Sequence, residues 1–386
     1  MTYKKAAFSI VIIAITASMI FGGCFFNRAL SNDDNLDTHD NREPICETTE
    51  FMLDTVVNVK IYDVSRDGAF KAKERDTLAN DAMNVAIKKC SELEKILSRT
   101  IKDSDVDKIN NASGTPTQVR PSTAHVLTKA QNYAELSGGL FDISIGKVSA
   151  MWLFGAKVEP KDKIAPADVL IQEALPTIDY HGVELLDTVV TLVNPESQID
   201  LGGIAKGYIA DQMAETLKDE GVTSAIVDLG GNVKTVGLRQ NHSYWKVGVK
   251  NPFATEIYPE ERAVIDYNKE RKGNQLPAGS MIGILEIDSD ESVGTSGTYE
   301  RYFFTEKNFY HHILDPKTGY PAMTDLAAVT VVSKYAVDGE GYSTPAIIMG
   351  YDKAIKWLQE QHVKAVLVKT DGTITTVGDI RFDKIG

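Results

Sequence analysis

Apolar and polar residues alternate through FMLDTVVNVKIYD, residues 51–63, and β-branched side chains dominate the apolar positions, which predicts a strand. From Asp76 the period lengthens. Leu78, Ala82, Val85, Cys90, Leu93 and Leu97 recur near helical spacing, so an amphipathic helix is expected to end near Ser98. A second helix is expected from Ser122 to Leu136, stopped by Gly138-Gly139. Between about 156 and 195 the pattern weakens to loops, a short helix and an outer hairpin around ELLDTVVTLVN. There follow a short strand ending at Leu201, a Gly202-Gly203 turn, and a helix that carries Ile204, Tyr208, Met213 and Leu217 on one side and stops at Gly221.

Strands are expected over TSAIVDLGGNVKTVG, split by its glycine pair, and over SYWKVGVKNP, whereas residues 254–278 are charged and read as a surface excursion. MIGILEIDSDESVGTSGTYERYFF, HHIL and AAVTVVSK add antiparallel strands. One last helix, STPAIIMGYDKAIKWLQEQ, and a closing pair of strands, AVLVKT and ITTVG, are expected after them. Helices and strands mix without a strict βαβ rhythm, so the class is α+β with mixed, mainly antiparallel sheets flanked by helices.

The N-terminus changes where this domain is expected to sit. Lys4 and Lys5 precede the apolar run AAFSIVIIAITASMIFGG, the composition of a secretory signal, over residues 1–23. Gly22-Gly23-Cys24 resembles a lipobox, in which Cys24 receives a diacylglyceryl group, although Phe21 departs from its usual small aliphatic residue. Residues 24–48 are polar, acidic and aperiodic, which suits a flexible tether from a lipid anchor to a domain over residues 49–386. The run NDDNLDTHDN within it lacks the central Gly and terminal Glu of a calcium loop. An extracytoplasmic protein, lipid-anchored to the bacterial membrane on its periplasmic or cell-surface face, is therefore expected. That compartment permits a disulfide between Cys46, in the polar leader, and Cys90, but Cys90 on an apolar helix face also reads as a small buried hydrophobe. No Cys/His spacing resembles a zinc site.

A net charge of −13 with no basic cluster argues against nucleic acid as a partner. Such a chain needs local positive charge, from a metal, a lysine or a helix start, to hold an anionic ligand. Gly202-Gly203-Ile204-Ala205-Lys206-Gly207 offers one place, at a strand-to-helix junction where free N–H groups and a lysine meet. It is neither a dinucleotide fingerprint nor a P-loop, and it also fits a helix packed tightly on a sheet. Asp228-Leu229-Gly230-Gly231-Asn232 is a second glycine turn, either a hairpin turn or a ligand-facing loop. In DGEGYSTPAIIMG, Glu340 and Thr344 would share one side of a helix start and present oxygens to a hard cation such as magnesium; Ser343 as an N-cap with Pro345 in the first turn is the simpler reading. HHILDPKTGYP, residues 311–321, reads as a strand entering a turn, with alternation sending His311 and His312 to opposite faces.

Taken in order, GGLFDISIGKVSAMWLFG, IDLGGIAKGYIAD, VDLGGNV, SGTYERYF, HHILDPKTGYP and EGYSTPAIIMG resemble the FAD:protein FMN transferase family, the ApbE-type flavin-trafficking lipoproteins, from about Thr48 to the C-terminus. The resemblance implies a two-lobed fold related to T-fold proteins, and transfer of FMN from FAD through a phosphoester bond to a threonine or serine hydroxyl of an acceptor protein. It implies magnesium as cofactor and AMP as the released product. Metal contacts are implied for Thr344, Glu340 and a backbone carbonyl near Gly203; Glu340 stands where the family usually has Asp, and Asp338 is a possible substitute. His312 is implied as the base for the acceptor hydroxyl, with Asp315 and Lys206 beside it in catalysis. Met52, Phe141, Asp142, Lys206, Asp228, Gly230, Gly231, Ser296, Gly297 and His312 correspond to flavin-facing positions. Family acceptors carry a D-x-x-[ST]-G-A-[ST]-like stretch and are usually subunits of membrane electron-transfer complexes. With water as nucleophile the same site would be a metal-dependent FAD pyrophosphatase giving FMN and AMP, and without turnover it would be an FAD-binding lipoprotein.

Overall fold

The structure, a computed structural model, describes residues 43–65, 72–154, 163–239, 243–253, 281–305 and 308–385. The signal segment, Cys24, most of the tether and the charged excursion at 254–278 lie outside the described residues.

The alternating run at the start of the domain folds as a hairpin rather than one strand. β1 (Cys46–Met52) pairs antiparallel with β2 (Thr55–Val64). Leu53 and Asp54 both take left-handed backbone conformations, the geometry of a two-residue type I′ turn, without the Asn-Gly that would signal it in the sequence. Tertiary contacts supply what the turn residues lack: Leu53 N donates to Glu94 Oε1 (2.8 Å) and the Arg301 guanidinium donates to Asp54 O (3.4 Å). Cys46 therefore lies in a strand and not in the polar leader, and both Cys46 and Cys90 are buried thiols rather than a disulfide.

The chain continues through α1 (Ala72–Leu97), α2 (Asp105–Asn111), β3 (Thr117–Gln118), α3 (Pro121–Ser137), α4 (Gly146–Met151), α5 (Asp168–Ala174), β4 (Val183–Leu186) and β5 (Val189–Leu192). As expected, Gly138 ends α3 in the left-handed conformation, and β4 and β5 form the outer hairpin. The short strand expected before Leu201 does not form, leaving one bridge, Ile145 to Gln198. The Asn110 side chain instead takes both backbone groups of Ile199, at 2.7 and 2.9 Å, in place of a neighbouring strand.

Next come α6 (Ala205–Asp219), β6 (Val222–Leu229), β7 (Asn232–Val236), β8 (Trp245–Lys250), β9 (Met281–Ile287), β10 (Ser292–Gly297), β11 (Tyr302–Phe304), β12 (Phe309–His311) and β13 (Leu326–Ser333). The expected last helix is two, α7 (Ala336–Met349) and α8 (Tyr351–Glu360), separated at Gly350, whose positive φ no helix can continue. β14 (Lys364–Lys369), β15 (Ile374–Val377) and β16 (Arg381–Lys384) close the described fold.

One eight-stranded antiparallel sheet, in the order β1-β2-β6-β7-β10-β13-β14-β15, organises the rest. Its middle strands are covered on both faces, which is why LAAVTVVS in β13 is apolar throughout. Val329 and Val331 face a core shared with α7 and α8, whereas Ala328 and Val332 face a core shared with the three-stranded sheet β16-β9-β8. β2 and β6 send Val57, Val59, Ile61, Val227 and Leu229 into a third core with α1 and α6. The fourth cluster, around Trp152, Phe303 and Leu314, packs α4 and α5 against the β11–β12 hairpin. Among the described residues no helix is long and apolar enough to cross a membrane.

Candidate active site

Two helices meet over the sheet at an unusually short distance. A Cβ on Gly207 of α6 would stand 2.5 Å from the Ala336 carbonyl oxygen and 2.7 Å from Val337 Cα, so only glycine lets α6 approach the first turn of α7. On the sheet side Gly294 of β10 and Gly339 of α7 face each other backbone to backbone, with an added Cβ on Gly294 3.0 Å from Gly339 Cα. These close approaches lower the middle of α7 onto the sheet next to the start of α6.

Glu340, 5% exposed, is the side chain that this crossing buries. Its Oε1 accepts from Lys206 Nζ (2.7 Å) and Asn232 Nδ2 (2.9 Å), and its Oε2 accepts from the Gly207 backbone N–H (2.9 Å). A buried carboxylate needs such partners, and here they come from α6 and the start of β7. Lys206 Nζ also lies 3.4 Å from the Gly202 carbonyl. One helical turn beyond Glu340, the Thr344 hydroxyl lies 3.0 Å from Ser296 Oγ at the end of β10, and Ser296 also meets Ser343 Oγ at 2.7 Å. Glu340 and Thr344 thus share a face, as expected, but deep in α7; Ser343 and Pro345 lie inside the helix and not at its cap. Asp338 points elsewhere, to the Tyr133 hydroxyl and Lys129 (3.6 Å), and does not substitute for Glu340.

The Gly202-Gly203 turn is exposed, and Asp200 braces it: Oδ1 takes the Gly202 N–H (2.9 Å), while Oδ2 takes the Ser149 hydroxyl (2.7 Å) and pairs with Arg99 (3.2 Å). Phe141 is buried beside Gly203, 3.7 Å from where a Cβ would stand there. Gly230 and Gly231 form the second exposed turn, closed by Asp228 Oδ1 on the Gly231 N–H (2.7 Å), and Gly230 presses on Thr55 so closely that no side chain fits. Thr55 follows the hairpin tip that begins at Met52, so this tip and the second turn are adjacent. Burial raises the Asp228 carboxyl above its ordinary range, against the Gly231 bond and Lys250.

His311 ends β12 and His312 follows it, and the two rings have different partners. His311 is buried, its Nε2 3.2 Å from the Ala322 carbonyl. His312 is partly buried, and its backbone N–H and Nδ1 both face the Arg301 carbonyl, at 3.0 and 3.3 Å. A carbonyl only accepts, so Nδ1 carries the hydrogen and Nε2 keeps a free lone pair. Burial, with the charges of His311, Arg301 and Lys206, holds this imidazole down to about 3, which keeps it neutral.

Two other expected site residues are occupied with the backbone. Asp315 Oδ1 takes the Lys317 N–H (2.9 Å) within its own turn, and the Trp152 indole pins that turn through the Gly319 carbonyl (2.8 Å). Asp142 binds Ser144 (2.8 Å to N, 2.6 Å to Oγ) and the Tyr180 N–H (3.1 Å), bracing the loop after Phe141. Gly297 ends β10 against the Tyr299 ring. Asp200 and Arg301 were not singled out from the sequence, and Asn232 entered only as the last residue of the second glycine turn.

The geometry therefore offers a hard-oxygen set, a lysine, a helix start and a neutral imidazole around two exposed glycine turns. Comparison with known proteins places the chain in a family. The chain is 30% identical over 328 residues to the FAD:protein FMN transferase of Treponema pallidum, covering 81% of this chain and 80% of that one. It is 32% identical over 277 residues to a protein of the same name from Klebsiella pneumoniae, covering 71% and 78%. Among solved structures, the ApbE protein of Thermotoga maritima matches with a TM-score of 0.71 at 27% identity, over 86% of this chain and 96% of that one. The flavin transferase ApbE of Vibrio cholerae shares the fold, with a TM-score of 0.69 at 21% identity over 86% and 96%. The model of the ApbE family matches residues 53–368, and the chain belongs to that family.

Proposed function

We propose that this protein transfers FMN from FAD to a serine or threonine hydroxyl of an acceptor protein, as a lipid-anchored enzyme outside the cytoplasmic membrane. The observation that carries the reading is the convergence of Lys206 and the α6 start on the Glu340–Thr344 face of α7, beside a neutral His312. Phosphoryl transfer asks for charge neutralisation and alignment more than for covalent help from protein. Lys206, at the positive end of the α6 dipole, binds and orients the diphosphate of FAD. His312 Nε2 takes the proton of the acceptor hydroxyl as its oxygen bonds to the FMN phosphorus; the bridging P–O bond breaks and AMP leaves. Such base assistance is worth a factor of about 10² to 10⁴ for a base whose pKa lies near the working pH, and His312, held well below it, belongs at the low end.

The residues present fit a magnesium ion. Glu340 Oε2 accepts a single bond and retains a lone pair, and Thr344 Oγ1 lies one helical turn on; the resemblance implies the Gly203 carbonyl as a further oxygen. Among the described residues no group of three His, Cys, Asp or Glu side chains could enclose a metal, and magnesium ordinarily completes its shell with waters and substrate phosphates. Bound there, it would neutralise charge on the diphosphate. Residues 1–24 carry the localisation: Lys4, Lys5, the apolar run and Cys24 have the order of a lipoprotein signal.

Incubation of the full chain with FAD, magnesium and an acceptor domain bearing a D-x-x-[ST]-G-A-[ST]-like stretch tests the proposal by mass. An acceptor heavier by FMN, with AMP released, is the expected result. Free FMN on an unmodified acceptor would replace transfer with hydrolysis, and unconsumed FAD would leave only flavin binding.

A further inference from the structure

The part of α7 that carries the site is a poor helix by its own sequence. DGEGY contains two glycines, each costing about 1 kcal/mol relative to alanine in a helix interior. Pro345 lacks the N–H that would bond back to Gly341, so one of the bonds joining residues 336–344 to the rest of the helix is missing. Tyr335 precedes the helix with extended backbone and no side-chain cap, which leaves the first-turn N–H groups to outside partners.

Asp211 of α6 supplies them. Its Oδ1 accepts from the Ala336 N–H (2.8 Å) and its Oδ2 from the Val337 N–H (3.1 Å), so the cap of one helix is provided by the side of another. Asp211 lies one turn after Gly207, on the α6 face that touches α7. That face grips α7 twice, through Asp211 at the first turn and through Gly207 and Lys206 at Glu340. Lys234 of β7 stands behind the carboxylate at 3.9 Å, itself held by the Asp290 carbonyl (2.5 Å) and the Lys334 carbonyl. Its charge opposes that of Asp211; Asp338 of α7 and Tyr133 of α3 also face Asp211, and Lys218, Asp290 and Lys334 act on Lys234.

We propose that Asp211 is a positioning residue for the transfer reaction: by capping α7 from α6 it sets where Glu340 and Thr344 stand. This rests on the functional reading above. Burial pushes the Asp211 carboxyl up to about 6, against the two N–H bonds and Lys234, with Asp338 adding to the rise. Protonation removes one acceptor, so the cap weakens as pH falls through that value.

The test compares the full chain with Asp211→Asn and Asp211→Ala in three measurements: affinity for Mn²⁺ alone, kcat and KM for FAD in FMN transfer, and hydrogen exchange of residues 336–344. In Asp211→Ala, Mn²⁺ affinity and kcat should each fall tenfold or more, KM should change less, and exchange should quicken in that segment while α3 and β13 stay protected. Asp211→Asn, which keeps one acceptor oxygen, should lie between, and its kcat should stay flat from pH 7.5 to 5.5 where the wild type declines severalfold. If either variant folds with wild-type Mn²⁺ affinity and kcat, Asp211 is structural only and the proposal is wrong; Asp211→Asn decides if Asp211→Ala does not fold. A wild type without turnover would overturn the functional reading, and unchanged exchange at 336–344 would overturn the capping role separately.

Discussion

Replacing Gly207 with alanine adds one methyl group at the crossing of α6 and α7, and its effects on fold and on chemistry should differ in size. The new Cβ would lie 2.5 Å from the Ala336 carbonyl oxygen, about 0.9 Å inside the 3.4 Å at which ordinary contact begins. All three nearest atoms are backbone, so no side chain can swing away and the helices must separate. Gly207 is helical and needs no positive φ, so alanine gains about 1 kcal/mol of helix propensity. Overpacking costs about 1–3 kcal/mol, which leaves a net loss of about 0–2 kcal/mol. The same separation draws the Gly207 N–H away from Glu340 Oε2, now 2.9 Å apart, and shifts Lys206 relative to Thr344. A misplacement of about 1 Å in a reacting constellation costs about 10²-fold, or about 2.7 kcal/mol of barrier. Gly207→Ala should therefore melt within a few degrees of wild type, yet transfer FMN to an acceptor about a hundredfold more slowly by mass-resolved single-turnover kinetics. A well-folded variant with the wild-type rate would refute the dependence of the site on this helix spacing.

Lys206→Met removes one of three donors from a buried carboxylate and should destabilise the protein by about 1–3 kcal/mol at neutral pH, measured by urea unfolding; an unchanged midpoint would mean that Asn232 and Gly207 suffice. His312→Ala should slow transfer by about 10², the low end for general-base assistance, because the imidazole is a weak base. Because His312 is held down to about 3, the wild-type kcat/KM should show no His312 limb between pH 5 and 8, and one that vanishes in His312→Ala would contradict the buried neutral imidazole. Linkage gives the sign for stability: a lowered histidine contributes stability above its unfolded value of about 6.5 and loses it as pH falls toward 3, so His312→Ala should flatten that part of the stability curve. Burial, with Glu94 adding, pushes the Cys90 thiol up to about 12, so iodoacetamide at pH 8 should label Cys90 only after unfolding, as peptide mapping would show.

Elements whose apolar period was unbroken were legible in the sequence, and so were turns carrying glycine. The helix from Ser122, the outer hairpin and the sheet strands AAVTVVSK and AVLVKT follow from pattern alone because their burial is what the pattern encodes. The β1–β2 turn was not legible, since Leu53 and Asp54 adopt positive φ only because Glu94 and Arg301 hold them. The start of α7 was hidden for a related reason: its cap is Asp211, far away in sequence, so Ser343 looked like the cap and Glu340 seemed to stand near the helix end. Site residues were easier to nominate than to assign. Asp315 and Asp142 lie in the right segments but spend their carboxylates on loop backbone, as Asp residues in turns often do.

Glu340, where the resemblance implies Asp, looks different once its partners are known. A carboxylate one methylene longer than aspartate reaches Lys206, Gly207 and Asn232 together, and those groups belong to α6 and β7. The longer side chain is thus tied at both sides of the α6–α7 crossing, and Thr344 is tied separately to β10 through Ser296. In an acidic protein the positive charge for a diphosphate is then concentrated where α6 begins, with the Lys206 ammonium between the Gly202 carbonyl and Glu340. Net charge is screened beyond about 8–10 Å in salt, so at the site the balance is decided by one lysine, one carboxylate and the dipole of a helix start. The −13 of the whole chain and the binding of an anion at this place are therefore compatible.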